Sequence, residues 1–272
     1  MPSHLDRLDI DIPIYYINLA RKPLRKVQFL NNFAGSQIKP IRINAFNGKS
    51  SDLLSNIHGP LPEFSYELPR YVRINLDMDH FRSQIGCTFS HLKAIETWLN
   101  QSRSPFVLIC EDDLSFDLLK YWNFSLSEFI KALPSDWDCV QLCSINPGHA
   151  REAIRAQYPA IPRKFRLKKW SEPFWGTGGY LIKREYGHQL FNRCKTNNRY
   201  NLGWLNHKQF VADQLIYSFG NVYSIDLLRI MDLGSDIRAL KDQGIAINAE
   251  TANEWWSRIG CKLPLSILTR IG

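Results

Sequence analysis

The run PFVLIC at Pro105–Cys110, followed at once by Glu111, Asp112 and Asp113, constrains this chain more than any other stretch. An apolar run this short is not a buried helix, and a strand without polar alternation is covered on both faces, as the central strands of parallel sheets are. Three adjacent carboxylates at the carboxyl end of such a strand repel one another and lose hydration, a cost that a divalent cation would offset. If strand alternation carries past the run, Glu111 and Asp113 fall on one side and Asp112 on the other, an acid-x-acid clamp for a hard cation holding a diphosphate. A solvated turn capping the next helix is the other reading of the triplet.

The remaining periodic signals alternate around this strand. Strands are expected at Ile12–Asn18, Pro40–Asn44, Cys139–Cys143 and Val222–Asp226, with a Gly-rich strand approach at Gly176–Ile182. Helices are expected at Pro23–Phe33, opened by a proline suited to a first helical position, and at Gly86–Asn100, Leu126–Leu133, Arg184–Lys195 and Lys208–Phe219. Strands alternating with helices of this length predict an α/β fold, a mostly parallel Rossmann-type sheet flanked by helices, with ligands at the carboxyl ends of the strands. One domain over residues 1–272 is expected. Within it, the Pro-rich segment 50–82 reads as a lid or insertion, and 228–272 as a C-terminal extension without assignable periodicity.

Composition narrows the function classes. No apolar run reaches the roughly 18 to 20 residues that cross a bilayer, and the first residues, MPSHLDRLDIDIP, lack the basic-then-apolar order of a leader, so a cytoplasmic chain is expected. The six cysteines are scattered, mostly inside apolar runs, and read as buried small hydrophobes; Cys139 and Cys143, the only close pair, have no nearby histidine to complete a zinc site. The net charge of +8, dense in RKFRLKK at Arg163–Lys169, suits a polyanionic partner or a merely solvated basic face. A nucleic-acid module would interleave basic and aromatic residues on one element, whereas here the aromatics are spread over all of them, so no nucleic-acid partner is expected. A phosphoryl-transfer enzyme would show a P-loop or an early nucleophilic aspartate motif, and neither is present.

An ordered series of motifs resembles the bacterial lipooligosaccharide glycosyltransferases of glycosyltransferase family 25. It comprises YYINLARKPLRK at Tyr15–Lys26, RINAFNGK at Arg42–Lys49, IGCTFSHLKAIETW at Ile85–Trp98, VLICEDDLSF at Val107–Phe116, WGTGGYLIKREYG at Trp175–Gly187 and VADQL at Val211–Leu215. Together they span about four-fifths of the chain. The resemblance implies a GT-A-like fold, a UDP-hexose donor (most often UDP-galactose), a divalent metal (usually Mn²⁺), inversion at the anomeric carbon and a lipooligosaccharide acceptor. Glu111 and Asp113 would then hold the metal, with Asp112 on the donor. Asn47 stands where the family usually has Asp, which removes a charge there but keeps hydrogen bonding to the nucleotide.

The other donor-binding candidates are Asn18, Arg21 and Arg25 after the first strand, where guanidinium forks suit phosphate oxygens although solvated helix-start charge would look the same. Ser90 and His91 could bond the donor or support the metal, or simply pack. Gly178 and Gly179, beside Gly176, allow close backbone approach to a ligand or a tight turn. Trp170 and Trp175 could stack on a sugar ring or fill core.

An inverting transfer needs a base away from the metal. Asp213 is the choice, at the opening of an amphipathic helix and on an acidic position of the resembled family; Glu185 is the reserve. Asp213 could equally favour its helix dipole or join the metal shell. UDP-glucose and UDP-N-acetylhexosamine remain alternative donors. The basic surface fits peripheral association with the anionic inner face of a cytoplasmic membrane.

Overall fold

The computed structural model describes residues 4–9, 11–50, 65–67, 70, 79–144, 165–171, 175–197, 199–206, 209–231 and 252–271. Its framework is a seven-stranded sheet in the order β2 (Ile41–Asn44), β1 (Ile14–Asn18), β4 (Phe106–Glu111), β8 (Gly179–Lys183), β6 (Cys139–Gln141), β11 (Val222–Ser224) and β7 (Lys168–Lys169). Two short strands, β3 (Ser65–Glu67) and β5 (Leu114–Ser115), lie outside it. The pairings β2 with β1, β1 with β4 and β6 with β11 are parallel, while β8 and β7 run against their neighbours, so five of the seven strands point one way. This is a mostly parallel α/β sheet flanked by helices.

The unalternating apolar runs follow from burial on both faces. On one face Ile14, Tyr16, Leu108 and Cys110 pack with Phe29 and Phe33 and with the two C-terminal tryptophans, Trp255 and Trp256. On the other face Tyr15, Ile17, Val107 and Ile109 pack with Ile95 and Trp98 and with Tyr186 and Leu190. The helix over that second face, α2 (Asp79–Gln101), also contacts α4 (Arg184–Cys194) and α5 (Ala212–Tyr217). The first face is covered by α1 (Pro23–Asn31), whose Phe29 stacks on Tyr16 with ring centroids 4.5 Å apart. Ser125 and Glu128 form a reciprocal capping box at the start of α3 (Leu126–Ala132).

Several boundaries differ from the sequence reading. The helix expected from Gly86 begins at Asp79, so 79–82, assigned to a lid, are its first turn; most of segment 50–78 lies outside the described residues. The helix expected over 208–219 shortens to six residues, and Lys195 leaves α4 to start β9 (Lys195–Thr196), which pairs with β10 (Arg199–Asn201). In the C-terminal segment, the indole N–H of Trp256 donates to the Asp226 carbonyl at 3.1 Å, and the Trp255 ring stacks on Phe165 at 4.2 Å. These tryptophans belong to the main core rather than to an appendage. The end of the basic run is also partly structural: Phe165 and Leu167 are buried, and Lys169 bonds Asp136 and Asn221.

The two sides of α1 give a direct test of this packing. Phe29→Ala should lower the unfolding free energy by about 4 kcal/mol. Leu24→Ala, on a side chain that is 77% exposed, should change it by no more than about 0.5 kcal/mol in the same urea titration.

Candidate active site

The parallel strands β2, β1 and β4 end together, with Ile17 in register with both Ile43 and Glu111. Just beyond those ends is a half-open pocket. Arg21 and Arg25 line it from the stretch after β1, Phe46 and Gly48 from the loop after β2, Ser83, Cys87, Ser90 and His91 from α2, and all three acidic residues from the end of β4.

The three carboxylates divide into two groups. The strand ends at Glu111 and the chain turns through Asp112 and Asp113, so strand alternation does not carry across the triplet. Instead the Arg25 guanidinium bridges Asp112 Oδ1 at 2.6 Å and Asp113 Oδ2 at 2.7 Å. Asp112 also accepts from Asn18 Nδ2 at 2.6 Å. Burial pushes the Asp112 carboxyl above its usual range despite the opposing effects of Arg25 and Asn18.

Glu111 faces a different set. Its Oε1 accepts from the Thr177 hydroxyl at 2.8 Å and lies 3.5 Å from His91 Nε2. Burial alone would raise this carboxyl, but His91, Thr177 and Arg25 together hold it well below the usual range, so Glu111 is ionised. The other His91 nitrogen, Nδ1, is 3.1 Å from the Tyr180 hydroxyl. Cys87, one helical turn before His91, completes the group: one ligating atom from each of Cys87, His91 and Glu111 lies within 4.8 Å of the other two. Burial, followed by the charges of Glu111 and Asp213, pushes the Cys87 thiol well up, so without a cation it is protonated.

The sequence-derived candidates have varied placements. Arg21 and Arg25 line the pocket as expected. Asn18 is buried and already engaged, donating to Asp112 and to the Lys22 carbonyl and accepting from Arg42 Nε at 2.9 Å; it orients the acidic turn. Asn47 accepts from Arg21 Nε and from the Lys49 amide, which tightens the loop. Ser90 accepts from the Phe46 amide at 2.9 Å and donates to the Gly86 carbonyl, joining that loop to α2. The loop and helix meet backbone to backbone: a Cβ on Gly48 would lie 2.1 Å from the Arg82 carbonyl oxygen, and one on Gly86 would lie 2.9 Å from Gly48 N.

Gly178 and Gly179 make room for protein rather than ligand. A Cβ on either would collide at 2.7 Å, with Ile230 and Leu114 respectively, and neither glycine lines the pocket. Trp170 packs on Tyr217 at 5.4 Å, whereas Trp175 is 38% exposed.

Asp213 lies in the first turn of α5, where its Oδ2 accepts from the Gly176 amide at 3.2 Å. Burial and the charge of Glu111 raise its carboxyl, the backbone amides of Gly176, Gln214 and Asp213 itself opposing them. It is therefore an electrostatic neighbour of Glu111, although it does not line the pocket. Glu185 is at the wrong end of the sheet. Because β8 is antiparallel to β4, pairing Lys183 with Phe106 and Gly179 with Cys110, the helix after β8 starts beside the beginning of β4, about 16 Å from its acidic end. Sequence reasoning missed Cys87, Thr177 and Tyr180. The Cys87–His91 spacing of four residues, one helical face, was the available signal for the first.

A family model described as Glycosyltransferase family 25 (LPS biosynthesis protein) matches residues 11–202, well over half of the chain. The chain belongs to glycosyltransferase family 25. As a family 25 glycosyltransferase of lipopolysaccharide biosynthesis it uses a sugar donor and a saccharide acceptor, and the family suggests a nucleotide-sugar as the donor. Among solved structures it is similar to A197 from STIV (TM-score 0.35, 11% identity, 85% of this chain and 99% of that one). It is also similar to mouse xyloside xylosyltransferase 1 in its apo form (0.32, 8%, 78% and 82%) and to the glycosyltransferase GlyE of Streptococcus pneumoniae TIGR4 (0.35, 11%, 94% and 65%). No curated protein matches it.

Removing the arginine should expose the cost of the buried carboxylates. Arg25→Ala should destabilise the protein by about 3 kcal/mol at neutral pH, because Asp112 and Asp113 lose their counter-charge. The Asp112 carboxyl already has a raised folded pKa, so its contribution to stability grows as pH falls and is lost as pH rises through that value. The deficit of the variant should accordingly shrink in mildly acidic buffer. A deficit independent of pH in paired urea titrations would assign Arg25 a packing role only.

Proposed function

We propose that this glycosyltransferase moves a hexose, galactose in the first instance, from a UDP donor to a saccharide of a lipooligosaccharide acceptor, with inversion at the anomeric carbon. The observation that carries the reading is the convergence of Arg21, Arg25 and three carboxylates on one pocket at the ends of three parallel strands. That is where α/β sheets bind nucleotides. The guanidinium groups are suited to the donor's phosphate oxygens.

A divalent cation, Mn²⁺ in the first instance, fits this donor set. The lining carries three carboxylates against two guanidinium groups, and an incoming diphosphate adds further negative charge. Glu111 and Asp113 are the residues proposed to hold it, with Asp113 leaving the Arg25 bridge. When bound, the cation would offset charge on the departing UDP. Asn18 and Thr177 keep Asp112 and Glu111 oriented throughout.

Asp213 is proposed as the base that takes the proton of the attacking acceptor hydroxyl. Its raised carboxyl makes it a better proton acceptor than an ordinary aspartate, and the Gly176 amide holds it in place. Peripheral association with an anionic membrane surface on the cytoplasmic side is part of the same proposal. It is supported by the net charge of +8, and no helix among the described residues is long and apolar enough to cross a membrane.

Nucleotide release from a panel of UDP- and GDP-sugars, each with Mn²⁺ or EDTA, tests the donor and the metal together. UDP-galactose with Mn²⁺ should give the highest release, UDP-glucose and UDP-N-acetylhexosamine being the competing donors. Full turnover in EDTA after dialysis would remove the metal from the proposal.

Asp213→Asn should cut transfer by roughly 10²- to 10⁴-fold with donor binding near normal. Transfer by the unaltered enzyme should fall as pH drops through the raised Asp213 value, and the variant should lack that limb. Loss of donor or metal affinity in the variant would move Asp213 into the metal shell and leave the base unassigned.

A further inference from the structure

We infer that Cys87, His91 and Glu111 form a binding site for a zinc-class cation, a site that the carboxylate reading of this pocket does not contain. The three side chains bring one sulfur, one nitrogen and one oxygen to within 4.8 Å of one another. A tetrahedral zinc ion with ordinary bond lengths separates such atoms by about 3.3–3.6 Å, and His91 Nε2 is already 3.5 Å from Glu111 Oε1.

A second observation points to a ligand independently of this clustering. His91 is 1% exposed, and its Nε2 is buried without a hydrogen bond of acceptable geometry. A buried imidazole nitrogen in that state normally costs free energy unless something binds it. The surroundings suit metal ligation. Nδ1 has the Tyr180 hydroxyl at 3.1 Å as its partner; in the tautomer whose Nδ1–H donates to that hydroxyl, Nε2 keeps its lone pair for a metal. Glu111 Oε1 is steadied by the Thr177 hydroxyl at 2.8 Å.

The donor set selects the ion. Thiolate and imidazole favour Zn²⁺ or Co²⁺, whereas Mn²⁺ and Mg²⁺ favour all-oxygen sites. Binding expels the Cys87 proton to solvent as the sulfur–metal bond forms, and no electron changes hands. Three protein ligands leave the fourth tetrahedral position to water or to an oxygen of the pocket's ligand. Asp112 and Asp113, held by Arg25, are not needed for it. The inference shares Glu111 with the proposed transfer reaction but does not depend on the donor.

The test uses the full chain, stripped with chelator, kept reduced, and titrated with Co²⁺ as a spectroscopic substitute for Zn²⁺. One equivalent should bind and produce a sulfur-to-cobalt charge-transfer band with the visible absorption of tetrahedral cobalt. Zn²⁺ should displace it. Cys87→Ser should abolish the band and weaken Zn²⁺ binding by roughly 100-fold or more, with an unchanged circular dichroism spectrum. Cys261→Ser, which removes the other half-buried cysteine, should leave both unaltered. Glu111→Gln should weaken Zn²⁺ binding while keeping the band, a second measurement if the cysteine variant folds poorly. Stoichiometric Co²⁺ binding without the band, or equal Zn²⁺ affinity in Cys87→Ser, overturns the inference. Mn²⁺-dependent UDP release by a protein that binds no Zn²⁺ also overturns it and leaves the transfer reading standing. Tight Zn²⁺ binding with no release from any UDP-sugar supports the site and removes the donor proposal instead.

Discussion

Negative charge gathered at the end of a strand that is buried on both faces is the constraint around which this molecule is arranged. Phe106–Glu111 can sit in the middle of the sheet only because its side chains are apolar up to Cys110, and the three carboxylates that follow must then be compensated within a few ångströms. Arg25 compensates two of them, Asn18 fixes the orientation of one, and Thr177 with His91 accounts for the third. Each of those residues is delivered by a different element. The carboxylate turn therefore links the end of β1, helix α1, helix α2 and the approach to β8 into one unit.

Much of the framework could be read from the sequence because burial on both faces leaves a plain mark. The runs at Ile14–Ile17 and Val107–Cys110 carry no polar alternation, and the structure has a core cluster on each side of them. Pro23 marked the start of α1 in the same way. What could not be read depends on partners distant in the chain. The antiparallel direction of β8 leaves no local trace, and it alone decides that Glu185 starts its helix at the end of the sheet opposite the pocket. The start of α2 at Asp79 was hidden because its first turn follows a Pro-rich stretch that looks like loop.

The site was legible to a lesser degree, for a related reason. Residue type identified the acidic turn and Arg25, whose charges have to be answered somewhere. It did not reveal which polar groups were already engaged. Asn18 looked available for a ligand, but its amide is committed to Asp112, Lys22 and Arg42. Gly178 and Gly179 looked like room for a substrate, but Ile230 and Leu114 fill the space. Cys87 looked like one more small core residue, because the acidic partner that changes its meaning, Glu111, is far away in sequence.

The contact between Gly48 and Gly86 has a bearing on how such a site can diversify. One wall of the pocket is held by main chain resting on main chain, with no side chain between that could be exchanged for a larger or smaller one. Point substitutions in that wall can break it but offer almost no graded adjustment. Variants that accommodate a different sugar would have to arise at pocket side chains outside this contact, or by insertion and deletion in the loop itself. The evolutionary freedom of this site is thus lopsided, stepwise at those side chains and all-or-none at the glycine contact.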